Sequence, residues 1–151
     1  LHTCAGIKAL KMAMEAANEG AAKVNLMPPK LLGITILTSW TQERFVADLL
    51  IDQSIDQRVK HLAELASNSG LGGCVCSPRE VKFLRQIYPK TFELVTPGIR
   101  SLGSNFNDQS RVSDVSQALK MGASKVVIGR AITQSNDPSH MFKSFCDKVF
   151  I

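Results

Sequence analysis

Apolar residues recur at helical spacing from Gly6 to Asn18, with Ile7, Leu10, Met14 and Ala17 along one face. Gly20 follows as a C-terminal stop. Pro28-Pro29 then breaks the chain ahead of Leu31-Leu32-Gly33-Ile34-Thr35-Ile36-Leu37, a nearly unbroken apolar run that predicts a buried strand. After an irregular stretch the helical period returns from Ile55 to Asn68 through Val59, Leu62, Leu65 and Ala66, stopping before Gly70. Gly73-Cys74-Val75-Cys76 reads as a short strand. Ser77-Pro78-Arg79-Glu80 starts the next helix, with serine as N-cap, proline at the first helical position and an acid in the first turn. That helix extends to about Ile87, and Pro89 ends it.

Strand Phe92–Thr96 comes next, followed by a loop rich in Ser, Gly and Asn and a helix from about Ser113 to Met121. Gly122 closes this helix ahead of strand Lys125–Ile128. Asp137-Pro138 supplies an N-cap and first residue for a terminal helix through Met141, Phe142 and Phe145. Regular alternation of helices with almost wholly apolar strands predicts a parallel sheet covered by helices. Leu1-His2-Thr3 adds the stub of one more strand. No low-complexity tract or fixed-period repeat interrupts the rhythm.

Four whole strands fall short of a closed eight-stranded barrel, which takes typically ~250 residues and about 200 at minimum. An open half-barrel leaves parallel edges unpaired, which proteins avoid. The chain also begins without methionine, in mid-pattern. The expectation is a single domain over residues 1–151 that forms roughly the C-terminal half of something larger.

Composition narrows the partners. Hydrophobic content of 44% and charged content of 21% are globular values and exclude wholesale disorder. The net charge is +5, but the basic residues are scattered without a block of like charges, and the few aromatics do not alternate with them. Neither a nucleic-acid surface nor a stacking platform is expected. Cys4, Cys74, Cys76 and Cys146 lack C-x-x-C spacing, and His2, His61 and His140 are dispersed, so no zinc site is expected. Four buried or half-buried thiols suit a reducing cytosol. With no signal peptide and no apolar stretch that could span a bilayer, the expectation is a cytoplasmic protein without membrane contact.

Two runs carry the candidate chemistry. Leu94-Val95-Thr96-Pro97-Gly98-Ile99-Arg100 and Lys125-Val126-Val127-Ile128-Gly129-Arg130 both end apolar β-branched strands in glycine and arginine. Parallel strands deliver such residues to the carboxyl rim of a sheet, where anionic ligands bind. Arginine offers a planar, permanently charged fork suited to phosphate, and glycine lets a ligand approach the backbone.

Further motifs place these runs in a pattern. Leu37-Thr38-Ser39, Val75-Cys76-Ser77, the run from Leu94 to Arg100, Asp108-Gln109 and Val127-Ile128-Gly129-Arg130, continued by Ala131-Ile132-Thr133-Gln134-Ser135-Asn136-Asp137-Pro138, have the order and spacing seen in orotidine 5'-phosphate decarboxylases. The chain resembles that family over essentially its whole length, from the family's fourth strand through its last helix. The resemblance implies a (β/α)8 TIM barrel, homodimeric, that converts orotidine 5'-phosphate to uridine 5'-phosphate in pyrimidine synthesis without metal or organic cofactor. Thr38 resembles the family's hydroxyl that touches the pyrimidine, and Pro97 its proline packed near the base. Arg100, Gln109, Gly129 and Arg130 fall on substrate-binding positions, Gln109 and Arg130 nearest the phosphate. General barrel geometry agrees, since phosphate sites form from the loops after the seventh and eighth strands. The small polar loop Ser101–Arg111 is expected to fold over the ligand.

One departure is equally informative. Catalysis in the family depends on an Asp-x-Lys-x-x-Asp run whose lysine protonates the carbanion left by carbon dioxide, and this run is absent from the sequence. No catalytic residue is therefore assigned here. Arg111 and Asp114 are expected to order the start of a helix, Trp40 to serve packing or a dimer contact, His2 to be a hydrogen-bonded structural residue, and Met12, Met14 and Met27 to pack. Two other readings remain: a sibling barrel acting on sugar phosphates, often with magnesium, and a non-catalytic phosphate-binding half-barrel. The Thr-Pro-Gly-Ile-Arg and Asp-Gln motifs argue against the first, and a start codon just before Leu1 would favour the second.

Overall fold

The computed structural model describes residues 1–99 and 114–149. Four strands, β1 (Leu32–Ile34), β2 (Gly73–Val75), β3 (Glu93–Thr96) and β4 (Lys125–Val126), form one sheet in the order β1-β2-β3-β4, every neighbouring pair parallel. The stub at Leu1-His2-Thr3 extends it: His2 bridges Ile34 in parallel, and the Ile34 amide donates to the Leu1 carbonyl at 2.8 Å.

Helices connect the strands: α1 (Ile7–Lys23), α2 (Gln42–Leu49), α3 (Ile55–Asn68), α4 (Pro78–Ile87), α5 (Val115–Lys120), α6 (Arg130–Thr133) and α7 (Pro138–Asp147). Parallel strands that follow one another in chain order, joined by right-handed crossovers, keep their helices on one face. A doubly wound sheet would instead reverse its strand order at a switch point. The observed order is that of a (β/α) barrel wall.

Local sequence explains most boundaries. Ser54 and Gln57 form a reciprocal capping box at the start of α3, with bonds of 3.1 and 3.0 Å. The helix then buries Ile55, Val59, Leu62, Ala63 and Ala66 on its sheet-facing side. Pro78 opens α4, and the Glu80 carboxylate accepts from the Ser77 amide at 2.7 Å. Asp137 caps α7 by accepting from the His140 amide at 2.9 Å. Asp114 caps α5 by accepting from the Ser116 amide at 3.2 Å, which is the helix-ordering role expected of it.

Several expectations need correction. Helix α1 continues through Gly20 to Lys23, because the exposed glycine is followed by Ala21, which is buried. The stretch expected to be irregular holds α2, capped by Thr41 and ended by Leu50 in the left-handed conformation at φ 54°. The strands are shorter than the apolar runs that announce them. Met14 packs against the core, whereas Met12 and Met27 are exposed. Cys4 is exposed rather than half-buried, and so is His2.

The core lies between sheet and helices. Gly33, Cys74 and Leu94 share this face in register. A Cβ at Gly33 would collide with Thr3 Cγ2 and lie 3.0 Å from Ala66 Cβ, so glycine permits the close approach of the first residues and α3 to β1. Ile34, Val75, Val95 and Lys125 form the row that faces away from these helices.

At the strands' amino ends, Glu93 accepts from Lys30 and Lys125, each at 2.7 Å. The Lys30 stem crosses Gly72, where a Cβ would strike it. Nearby, the Arg85 guanidinium donates to the carbonyls of Gly122, Tyr88, Pro89 and Phe92 and to Ser124 Oγ, at 2.6–3.3 Å. Among the described residues no helix is long and apolar enough to cross a membrane.

Candidate functional site

The carboxyl ends of the strands carry the candidate residues. Beyond β1, Thr35 is pinned to β2: its amide and hydroxyl both donate to the Val75 carbonyl, at 3.2 and 2.7 Å. A turn closed by the Trp40 amide on the Leu37 carbonyl, at 3.2 Å, then holds Thr38 at the rim, nearly buried. Trp40 packs edge-on against Phe45 with centroids 6.5 Å apart, so packing is one part of its role.

Strand β3 continues into Thr96-Pro97-Gly98-Ile99. Gly98 adopts φ 79°, a conformation natural to glycine, and Ile99 turns back into the core. A cavity of about 250 Å³ opens here, lined by Ile34, Leu37, Thr38, Val75, Cys76 and Pro97 among others. Thr38 and Pro97, both singled out by the motif resemblance, therefore line one space. Most of that lining is apolar, with Thr38 and Ser39 its hydroxyl-bearing residues.

Strand β4 is tied to β3 by the Val127 amide, which donates to the Thr96 carbonyl at 2.9 Å. This brings Gly129 and Arg130 to the neighbouring strand end. Gly129 is the N-cap of α6, its carbonyl accepting from the Ile132 and Thr133 amides at 2.8 and 3.1 Å. Among the described residues, a Cβ placed on Gly129 would meet no atom within 4 Å. Arg130 is half-buried. Arg100, Gln109 and the rest of loop Ser101–Arg111 lie outside the described residues.

A hydrogen bond that the Cys76 thiol donates to Cys74, together with burial, holds that thiol well above its ordinary value, and the Glu80 carboxylate adds to the effect. Cys76 is thus a neutral wall and not a nucleophile. Among the described residues, no three His, Cys, Asp or Glu side chains gather in a way that could hold a metal ion.

Other residues at this rim went unnoticed in the sequence. A second cavity of about 450 Å³ forms where the first turns of α2, α3 and α4 meet, lined by Trp40, Gln42, Glu43, Asp56, Arg79 and Glu80 among others. Glu80 is fully buried. Its only signal was its place as an acid in a first turn, a feature that usually marks an exposed cap.

A parallel sheet wound in chain order, with Thr38, Pro97 and Gly129-Arg130 following the carboxyl ends of β1, β3 and β4, is part of the wall of a (β/α) barrel. The chain belongs to the orotidine 5'-phosphate decarboxylase / HUMPS family, whose model matches residues 1–145. It is 83% identical over 151 residues to the orotidine 5'-phosphate decarboxylase of Prochlorococcus marinus (strain NATL1A), an alignment covering 100% of this chain and 63% of that protein. Identity to the orotidine 5'-phosphate decarboxylase of Parasynechococcus marenigrum (strain WH8102) is 50% over 149 residues, covering 99% of this chain and 61% of the relative. The crystal structure of orotidine 5'-phosphate decarboxylase from Lactobacillus acidophilus matches with a TM-score of 0.83 at 29% identity, covering 100% of this chain and 62% of that one. The chain thus spans about 63% of the length of its curated relatives.

Proposed function

We propose that this chain supplies the base- and phosphate-binding part of an orotidine 5'-phosphate decarboxylase. Loss of carbon dioxide leaves an electron pair on the ring carbon, and a proton must then be delivered to it. Among the described residues, no lysine lines the 250 Å³ cavity to deliver that proton, and the sequence lacks the Asp-x-Lys-x-x-Asp run. The work of these residues is therefore to hold substrate. Thr38 and Pro97 take the pyrimidine; Gly129 and Arg130, with Arg100 and Gln109, take the phosphate. Arg130 supplies charge-assisted bonds and Gly129 an unobstructed backbone.

The observation that carries this reading is the shared cavity of Thr38 and Pro97, beside the strand end that presents Gly129-Arg130. Binding energy from a remote phosphate then raises the rate by holding the closed, assembled state. A cytoplasmic homodimer is part of the same proposal, and sedimentation of the complete protein tests its dimeric half.

The decisive experiment uses the complete protein and follows carbon dioxide release from orotidine 5'-phosphate. Turnover is expected, together with none from residues 1–151 alone. A complete protein that binds uridine 5'-phosphate but releases no carbon dioxide would overturn the decarboxylase reading and leave a phosphate-binding barrel.

A further inference from the structure

We propose that Glu80 is a positioning residue for the substrate cavity, acting through the Cys76–Ser77–Pro78 turn. The proposal rests on the functional reading above. A glutamate in a capping box ordinarily sits on the solvent side of its first turn, where hydration of the charge is kept. Glu80 is instead fully buried. Its Oε2 accepts from the Ser77 amide at 2.7 Å, and its own amide donates to the Ser77 carbonyl at 3.1 Å. Pro78 removes the remaining freedom in φ at the next residue. The turn is therefore gripped on both sides of Ser77.

What the turn carries gives the grip its purpose. Cys76, just before it, lines the 250 Å³ cavity together with Thr38 and Pro97. The Cys76 amide donates to the Val95 carbonyl at 3.1 Å, tying the turn to the strand that delivers Pro97. On its other side Glu80 lines the 450 Å³ cavity with Trp40 and Gln42, on the segment that leads away from Thr38. One side chain thus stands in the wall between the two segments that present the pyrimidine-binding residues. Burying a carboxylate is costly where a neutral acceptor could cap the same amide. The charged acceptor offers in return a shorter and stronger bond. Its charge also helps keep the Cys76 thiol protonated, so the cavity wall stays neutral.

The test compares Glu80→Ala, Glu80→Gln and Pro78→Gly in the complete protein. Kd for uridine 5'-phosphate is measured by calorimetry, and KM and kcat for orotidine 5'-phosphate separately. Glu80→Ala is expected to raise Kd and KM roughly tenfold, the loss of one buried charge-assisted bond. Glu80→Gln keeps an acceptor for Ser77 and is expected to return both to within about threefold of wild type, by the neutral bond's smaller share. A merely structural glutamate would reduce the folded fraction and the apparent kcat while leaving Kd and KM unchanged, and that outcome overturns the proposal. Should Glu80→Ala fail to fold, Pro78→Gly loosens the same turn without stranding the Ser77 amide. An unchanged Kd in that variant overturns the proposal equally. Absent carbon dioxide release with these Kd shifts intact would fall on the decarboxylase reading alone.

Discussion

At the amino ends of the strands, ion pairs and one many-bonded arginine tie the turns together, whereas at the carboxyl ends two cavities open. Arg85 at the amino side reaches four carbonyls and one hydroxyl, tying the turns before β3 and β4 to the end of α4. Glu93 ties the approach to β1, through Lys30, to β4, through Lys125. Across the sheet, Thr38 and Pro97 line a mostly apolar cavity, and a Cβ on Gly129 would meet none of the described residues. With the proposed site at the carboxyl ends, the two rims would divide labour as barrels do, one end for stability and the other for ligand. Mutations at the two ends should therefore fail in different ways.

The largest effect is expected from Arg85→Ala, which strands several carbonyls at once. Unfolding of the complete protein in urea should show a loss of about 3 kcal/mol, while KM of the remaining folded enzyme stays at the wild-type value. A raised KM without lost stability would erase the division between the ends.

Arg130→Ala is the mirror experiment. A charge-assisted phosphate contact is worth ~1.5–3 kcal/mol, so kcat/KM for orotidine 5'-phosphate should fall on the order of ten- to a hundredfold. The phosphate-free nucleoside should be nearly unaffected, and the melting temperature should barely move. Equal losses on nucleotide and nucleoside would make Arg130 a residue of the fold and not of the site.

Thr38→Val probes the same rim more gently. It removes a hydroxyl at almost constant shape, and about 1 kcal/mol, or roughly fivefold in kcat/KM, is expected. Wild-type kinetics in this variant would take Thr38 out of the site.

The smallest effect belongs to Glu93. Hydrogen bonds from Lys125 and then Lys30 hold its carboxyl below the ordinary glutamate value. The unfolded chain thus takes up this proton first as pH falls. The stabilisation is present above the unfolded value of about 4.3 and is lost as pH drops through the lower folded value. Both lysines are at least half exposed, which limits the contribution to ~1 kcal/mol or less. Glu93→Gln should flatten the acid side of the stability profile by that amount, and an unchanged acid limb would show that the triad does not stabilise this end.

Legibility in the sequence followed the strength of local signals. Helices α4 and α7 begin where their caps predict, because Ser77-Pro78 and Asp137-Pro138 act within a single turn, and α3 begins where its apolar period does. Helix α2 was missed although Thr41 caps it and Phe45 is buried, since it ends on a left-handed leucine where a glycine would have marked the stop. Gly20 misled in the opposite direction, a glycine that costs a helix about 1 kcal/mol without ending it. Thr38 and Pro97 were found through motif order. Their apolar neighbours in the cavity were not, because which face of a three-residue strand looks into the cavity depends on pairing register. The burial of Glu80 was invisible for the same kind of reason: it is set by residues distant in the chain.

The strand order described above also bears on how this chain reaches its fold. Each strand pairs with the one laid down just before it, as in the Thr35–Val75 and Leu94–Ser124 bonds, which span 40 and 30 residues. The entropy of closing a loop grows only slowly with its length, so each such step costs nearly the same. A folding nucleus at any one strand pair can grow by adding the adjacent strand and its helix, while ties such as Lys30–Glu93, 63 residues apart, form once the later strand is in place. The path is a zipper running along the sequence, and it can follow synthesis from the ribosome unit by unit.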